Sequence, residues 1–170
     1  MYRLFPVIAA IAASTGLSAA AAQAPAPAPM TLARAVAIAE KATGGQVLEA
    51  EVDTHRGKRV YEVEVVKDAR LQELVIDDRG RIVSRSSPVV ESYWKRWFHS
   101  DRMRALAAAR PLSALIGRLE QQTGGEVVEA SFDFERGQAR YEVEVATRAG
   151  VTDVNLDPRT GERLAMLLDD

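Results

Sequence analysis

The side chains that could do chemistry in this sequence are carboxylates, and they come in alternation. Glu49 and Glu51 are interleaved with Leu48, Ala50 and Val52, and Glu62 and Glu64 with Tyr61, Val63 and Val65. A period of two puts alternate side chains on opposite faces of a β-strand. If the two stretches form a hairpin whose apolar residues share one face, the other face sets Glu51 opposite Glu62 and Glu49 opposite Glu64. Like charges directly opposed across strands cost some tenths of a kcal/mol per pair, so such a face needs solvent, cations or basic groups nearby. Glu129, Glu142, Glu144 and Asp133 repeat the arrangement, with Ser131 relieving one position. Two readings stay open: a solvated face balanced by Lys and Arg from adjacent turns, or an acidic platform for a basic peptide, a cationic surface or a divalent ion.

Other chemistry is thinly represented. The two histidines are His55, in an expected turn, and His99, and neither has a histidine partner at metal-ligand spacing. Ser84, Ser86 and Ser87 lie in no nucleophile-elbow or Ser-x-x-Lys motif. Asp77 with Asp78, and Asp157 with Glu162, have the residue types of a weak calcium loop, but aspartate and glycine are equally the residues of a tight turn. Cysteine is absent, which excludes thiolate catalysis and Cys-based zinc binding and leaves stability to packing without disulfides. No catalytic residues, cofactor or metal site are therefore expected, and a non-catalytic role is.

The elements that would hold these carboxylates occur twice. Thr43-Gly44-Gly45 through Tyr61-Glu62-Val63-Glu64-Val65 returns 80 residues later as Thr123-Gly124-Gly125 through Tyr141-Glu142-Val143-Glu144-Val145, with 14 of 23 positions identical. Each copy opens on a helical pattern. Thr31 is a cap ahead of Leu32, Ala35, Val36 and Ala39, and Pro111 is expected at a first-turn position ahead of Leu112, Leu115, Ile116 and Leu119. Gly44 and Gly124 stop these helices by taking the left-handed conformation, a backbone role rather than a phosphate-binding one. Two strands follow, turning at His55-Arg56-Gly57-Lys58 and Glu135-Arg136-Gly137-Gln138. A third is expected over Leu71 to Ile76 and Val151 to Leu156, with short apolar ends at Ile82-Val83 and Leu164 to Leu168 after Asp-rich turns. The fold class is α+β: two tandem units, each a helix packed on a three- to four-stranded antiparallel sheet.

The ends and the middle complete the organisation. Residues 1–22 combine Arg3, an apolar run from Leu4 to Leu17 and a small-residue end at Ala20-Ala21-Ala22, the layout of a secretory signal peptide and too short an apolar run for the ~20 residues of a spanning helix. Residues 23–30 alternate alanine and proline and predict an extended tether. Repeat 1 is expected at 31–87, a helical connector at 88–109 and repeat 2 at 110–170. Removal of residues 1–22 takes one arginine from 22 basic residues set against 24 acidic ones and leaves a formal charge of −3, which gives no sign of a nucleic-acid protein. The connector holds both tryptophans. On a helix, Val90, Tyr93, Trp94 and Trp97 share one side, expected as apolar mortar between the repeats; the alternative is an exposed patch of Trp94, Lys95, Arg96, Trp97 and Phe98 for a partner or a membrane surface.

Each copy resembles a PepSY domain, a small extracytoplasmic module also found in propeptides of bacterial metallopeptidases. The resemblance rests on the helix ending at Thr43-Gly44-Gly45, on Tyr61-Glu62-Val63-Glu64-Val65, and on Val75-Ile76-Asp77 followed by Gly80 and Ile82. The second copy carries Tyr141-Glu142-Val143-Glu144-Val145, Val154-Asn155-Leu156-Asp157 and Gly161, departing slightly at Glu162-Arg163-Leu164. The resemblance implies a non-catalytic, exported, periplasmic module that binds or restrains a peptidase or an envelope sensor protein. No peptidase sequence follows the repeats, so any target is expected to act in trans. Glu49, Glu51, Glu62, Glu64, Glu129, Glu142, Glu144, Trp94 and Trp97 are the candidate partner-binding residues, with cation or small-ligand sensing by the acidic faces as the alternative.

Overall fold

The structure is a computed structural model that describes residues 29–68, 70–87 and 101–165. The signal-peptide and tether expectations, and Trp94 and Trp97, lie outside these residues. Each repeat folds as helix, hairpin and third strand. Repeat 1 contributes α1 (Leu32–Thr43), β1 (Gln46–His55), β2 (Lys58–Lys67), β3 (Arg70–Asp77) and β4 (Ile82–Ser86). After α2 (Asp101–Ala107), repeat 2 contributes α3 (Leu112–Thr123), β5 (Glu126–Glu135), β6 (Gln138–Thr147) and β7 (Gly150–Leu156). The part of the connector that is described is thus helical.

Local chemistry starts and stops each element. The Thr31 hydroxyl accepts from the Arg34 N–H at 3.4 Å and caps α1. Pro111 is the N-cap of α3 rather than a residue of its first turn, one position outside the expectation, and makes no side-chain cap bond. A cap comes instead from the other helix, where Glu40 accepts from the Ser113 hydroxyl at 2.6 Å and from its N–H at 3.4 Å. Both hairpin turns put a non-glycine and then a glycine at positive φ, Arg56 and Gly57 (52° and 74°) and Arg136 and Gly137 (50° and 82°). Two such residues define the type I′ turn, whose twist matches that of the strands it joins.

The Gly-Gly pairs are structural in both members. Gly44 and Gly124 end their helices in the left-handed region at φ 65°. Gly45 has a different reason: a Cβ there would stand 2.6 Å from the Val66 carbonyl oxygen and 2.5 Å from Val65 Cγ1, and Gly125 meets the equivalent obstruction at Ala146 and Val145. The preceding threonine ties the corner. Thr43 Oγ1 donates to the Ala39 carbonyl at 2.7 Å and accepts from the Gly45 N–H at 3.1 Å, and Thr123 does the same.

The two repeats are one sheet. Strand order is β4-β3-β2-β1-β5-β6-β7, so the first strands of the two hairpins pair antiparallel at the centre of seven. That pairing runs Glu49 with Ser131, Ala50 with Ala130 and Glu51 with Glu129. Because Ala50 and Ala130 are equivalent residues of the duplication, a pseudo-twofold axis passes through their pair. Inside each repeat the registers are those expected, Glu51 with Glu62 and Glu49 with Glu64, then Glu129 with Glu144 and Ser131 with Glu142. A bulge between Val47 and Glu49 recurs between Val127 and Glu129.

All the helices among the described residues cover one face. Leu32, Val36 and Ala39 of α1 and Leu112, Ile116 and Leu119 of α3 bury against Val63, Val65, Val143 and Val145, and α1 packs on α3 across the seam. Leu106 of α2 enters the same core fully buried. The Tyr141 hydroxyl reaches across the seam and donates to the Val47 carbonyl at 2.9 Å, Phe132 packs edge-on to its ring at 5.4 Å, and Arg59 pairs with Glu126. The seam is therefore made by strand pairing, helix packing and polar contacts that cross it among the described residues. No helix among them is long and apolar enough to cross a membrane.

Candidate functional site

The sheet face turned away from the helices carries the predicted carboxylates, and the seam joins them into rows. One row crosses Glu73, Glu64, Glu49, Ser131, Glu142 and Asn155 on successive strands from β3 to β7. The next crosses Glu62, Glu51, Glu129, Glu144 and Asp153 from β2 to β7, five acids without interruption. At the ~4.8 Å spacing of neighbouring strands the second row spans about 19 Å. Ser86 on β4 donates to Glu73 at 3.1 Å.

Burial and crowding shape the electrostatics of this face. Glu64 is pushed above the ordinary carboxylate range by burial, reinforced by Glu49, Glu73, Glu51 and Glu62. Glu49 is raised by burial and by Glu51, and Glu129 by burial and then by Glu144, Glu49, Glu51 and Asp153. Glu62 is raised by burial and by Glu51, Asp53 and Glu73, with His55 opposing the shift. Each carboxyl holds its proton more firmly here than in water. The influence of Glu49 and Glu51 on Glu129 passes between repeats, so the seam makes one electrostatic surface of two.

The repeats differ in how the hairpin ends of this face are neutralised. In repeat 2 the Arg140 guanidinium lies 2.7 Å from Asp133, 2.9 Å from Glu142 and 3.6 Å from Glu135. Arg102 of α2 adds a second cation 3.8 Å from Asp133. In repeat 1 the residue equivalent to Arg140 is Val60, and the equivalent of Glu135 is His55. His55 Nε2 lies 3.0 Å from Asp53 Oδ2 and 2.9 Å from Glu62 Oε1. These three side chains present one nitrogen and two oxygens within 4.8 Å of one another.

Alternation predicts Glu49, Glu51, Glu62 and Glu64 on the outer face of one unit and Glu129, Glu142 and Glu144 on that of the other, and the structure brings all seven onto one face of a shared sheet. The sequence reading missed the convergence of His55 with Asp53 and Glu62. The signal was available: Asp53 and His55 are two apart on a face that already held Glu51, and the register opposing Glu51 to Glu62 makes Asp53 the diagonal neighbour of Glu62.

An α+β module with every helix on one side of a shared sheet and an acidic surface on the other is the class these features define. The chain belongs to the PepSY family, described as "Peptidase propeptide and YPEB domain", whose model matches residues 29–79 and 104–167. Membership places it among peptidase-propeptide-like or regulatory modules. It is similar to the uncharacterized protein YkoJ of Bacillus subtilis (strain 168), at 26% identity over 135 residues, 79% of this chain and 72% of YkoJ. Among solved structures it is similar to a protein of Clostridium difficile 630 assigned as a lipoprotein, with TM-score 0.46 and 19% identity over 77% of this chain and 88% of that one.

Proposed function

We propose that this protein is an exported, periplasmic and non-catalytic binding module that restrains a peptidase or engages an envelope sensor protein in trans, using the acidic sheet face as its docking surface. The observation that carries the reading is the uninterrupted row from Glu62 through Glu51, Glu129 and Glu144 to Asp153, drawn from both repeats. A sheet that opposes like charges gives up stability. Retaining them has a functional logic if a basic surface covers them, because complementary charge steers association and rejects wrong partners. Family membership supports the choice of a peptidase as target class.

Pairing at the seam occupies the inner edges of β1 and β5, so strand addition by an extended peptide is left to β4 and β7. Among the described residues, β7 has an outer partner only at its end, where the Leu164 N–H donates to the Asn155 carbonyl at 2.8 Å and Arg163 bridges Leu156. The acidic face is the larger feature and the one both repeats build.

The test is cross-linking of the tagged mature protein in envelope extract, with a Glu51→Gln, Glu129→Gln, Glu144→Gln variant alongside. A peptidase or sensor adduct formed by the parent, weakened by salt and lost in the variant, is expected. A deletion strain with unchanged envelope proteolysis, together with an adduct pattern that ignores the three substitutions, would overturn the reading.

A further inference from the structure

The duplication supplies an internal comparison that points to a second kind of ligand. The same three positions of each hairpin gather acceptors on the outer face: Asp133, Glu135 and Glu142 in repeat 2, and Asp53, His55 and Glu62 in repeat 1. In repeat 2 they close around a cation that the chain provides, Arg140. In repeat 1 that cation is replaced by Val60, which is nearly buried at 7% exposure, and one carboxylate is replaced by an imidazole. The cluster nevertheless converges as tightly, with both carboxylate oxygens 3.0 Å or less from the same nitrogen. An imidazole N–H donates well to only one of two acceptors. Lys58, the cross-strand neighbour of His55, makes no ion pair with this cluster among the described residues.

We propose that Asp53, His55 and Glu62 form a surface site for a divalent ion of the zinc type, which holds in repeat 1 the place that the Arg140 guanidinium holds in repeat 2. The donor set argues for the class of ion. An imidazole nitrogen with two carboxylate oxygens suits zinc and its transition-metal neighbours, whereas calcium and magnesium prefer oxygen throughout. The spacing agrees as well. Around an ion with bonds near ~2.1 Å, adjacent donors stand about 3.0–3.4 Å apart, and the contacts to His55 Nε2, at 3.0 and 2.9 Å, would need to open by a few tenths of an ångström at most to admit one. Three protein ligands leave a fourth position for water or for a partner's side chain, since His55 and Asp53 are half exposed. The site shares Glu62 with the row above but does not rest on the docking role: the ion needs one hairpin, and the row needs both repeats.

Zinc titration of the mature protein by calorimetry, with the histidine Cε1–H resonances followed by NMR, tests this. One equivalent of zinc is expected to bind and to move the His55 resonance, leaving that of His99, the other histidine of the chain, in place. His55→Gln should weaken binding by about tenfold or more. Val60→Arg, which gives repeat 1 the built-in cation, should do the same, and Glu135→His with Arg140→Val should raise the stoichiometry from one to two. Calcium at equal concentration should not compete. Absence of binding by the parent, or binding that His55→Gln leaves unchanged, would overturn the proposal, the latter by reducing it to adventitious carboxylate binding. If Val60→Arg fails to fold by circular dichroism, the repeat 2 exchange decides: folded protein still binding a single equivalent overturns the equivalence of ion and guanidinium.

Discussion

Gly44 and Gly45 adjoin in sequence and answer to different forces, and a single methyl group separates them. At Gly44 the constraint is the chain's own dihedral angle, φ 65°, which costs an L-residue about 1 kcal/mol. At Gly45 it is space, since an added Cβ would press on the Val66 carbonyl, which belongs to a hydrogen-bonded strand and cannot swing aside. Overpacking of that kind costs about 1–3 kcal/mol. Gly45→Ala is therefore expected to destabilise the protein more than Gly44→Ala, with the same order at Gly125 and Gly124, read as the midpoint of denaturant unfolding. Equal losses at the two positions would mean that the strand shifts to accept the methyl. The helix stop was legible from sequence because left-handed glycine follows a helix by rule. The packing of Gly45 was not, because it depends on how closely the helix end lies on β2.

The sheet registers within each repeat were legible because alternation and a two-residue turn leave few choices. The neighbour of β1 was not, for alternation tells which face a side chain takes and not which strand lies beside it. That missing fact decides the electrostatics, since the seam adds Glu129 to the surroundings of Glu49 and Glu51. The pH dependence follows from the signs. Glu49, Glu62, Glu64 and Glu129 are raised in the folded state, chiefly by burial, so folding costs extra while they are ionised. Lowering the pH from neutral through their folded values relieves that cost, and the relief is complete below the ordinary glutamate range near ~4.3. Asp77 works the other way. The Arg81 N–H lowers its carboxyl, helped by the Arg81 side chain and the Arg79 N–H, so its contribution is present above the usual aspartate range and disappears as the pH falls through its lowered value. Thermal stability should rise as the pH is lowered from 7 towards the ordinary glutamate range near ~4.3, and fall in acid stronger than the ordinary aspartate range near ~3.9. Glu51→Gln with Glu129→Gln should raise the melting temperature at pH 7 and flatten that rise, because it removes the opposed pair at the seam. A melting temperature that does not rise between pH 7 and the ordinary glutamate range would show that the face carries no such cost at neutral pH.

For the whole molecule the pseudo-twofold axis makes a sharper demand, because it treats each repeat as half of a symmetric pair. An isologous interface brings a surface against its own equivalent, and here the pairing of Ala50 with Ala130 does so within one chain. Separated repeats would expose β1 or β5 as a central strand without its neighbour, together with the apolar sides of α1 and α3. A fragment of residues 29–87 should therefore pair with a second copy of itself, Ala50 against Ala50, which sets Glu49 opposite Glu51 on both sides of the axis. A fragment of residues 101–165 should pair through Ala130, which sets Glu129 opposite Ser131 and no acid opposite an acid. The mixed pair keeps the native register, with one opposed acid pair, Glu51 and Glu129, and adds Arg59 on Glu126, a contact that needs one repeat of each kind because the equivalents of these residues are Ala139 and Gln46. Opposed charges cost about 0.2–1 kcal/mol per pair, so the repeat 2 fragment should self-associate more tightly than the repeat 1 fragment. The mixture should settle as a one-to-one heterodimer, in the native register and with the Arg59–Glu126 pair that neither homodimer can make. Sedimentation equilibrium of each fragment and of their mixture reads all three species. Folded monomers in every sample would mean that each repeat keeps its own core and that the seam serves only to align the two acidic surfaces. A dominant heterodimer would make the continuous sheet the condition of stability, with the uncharged Ser131 opposite Glu49 sparing the seam a second opposed acid pair.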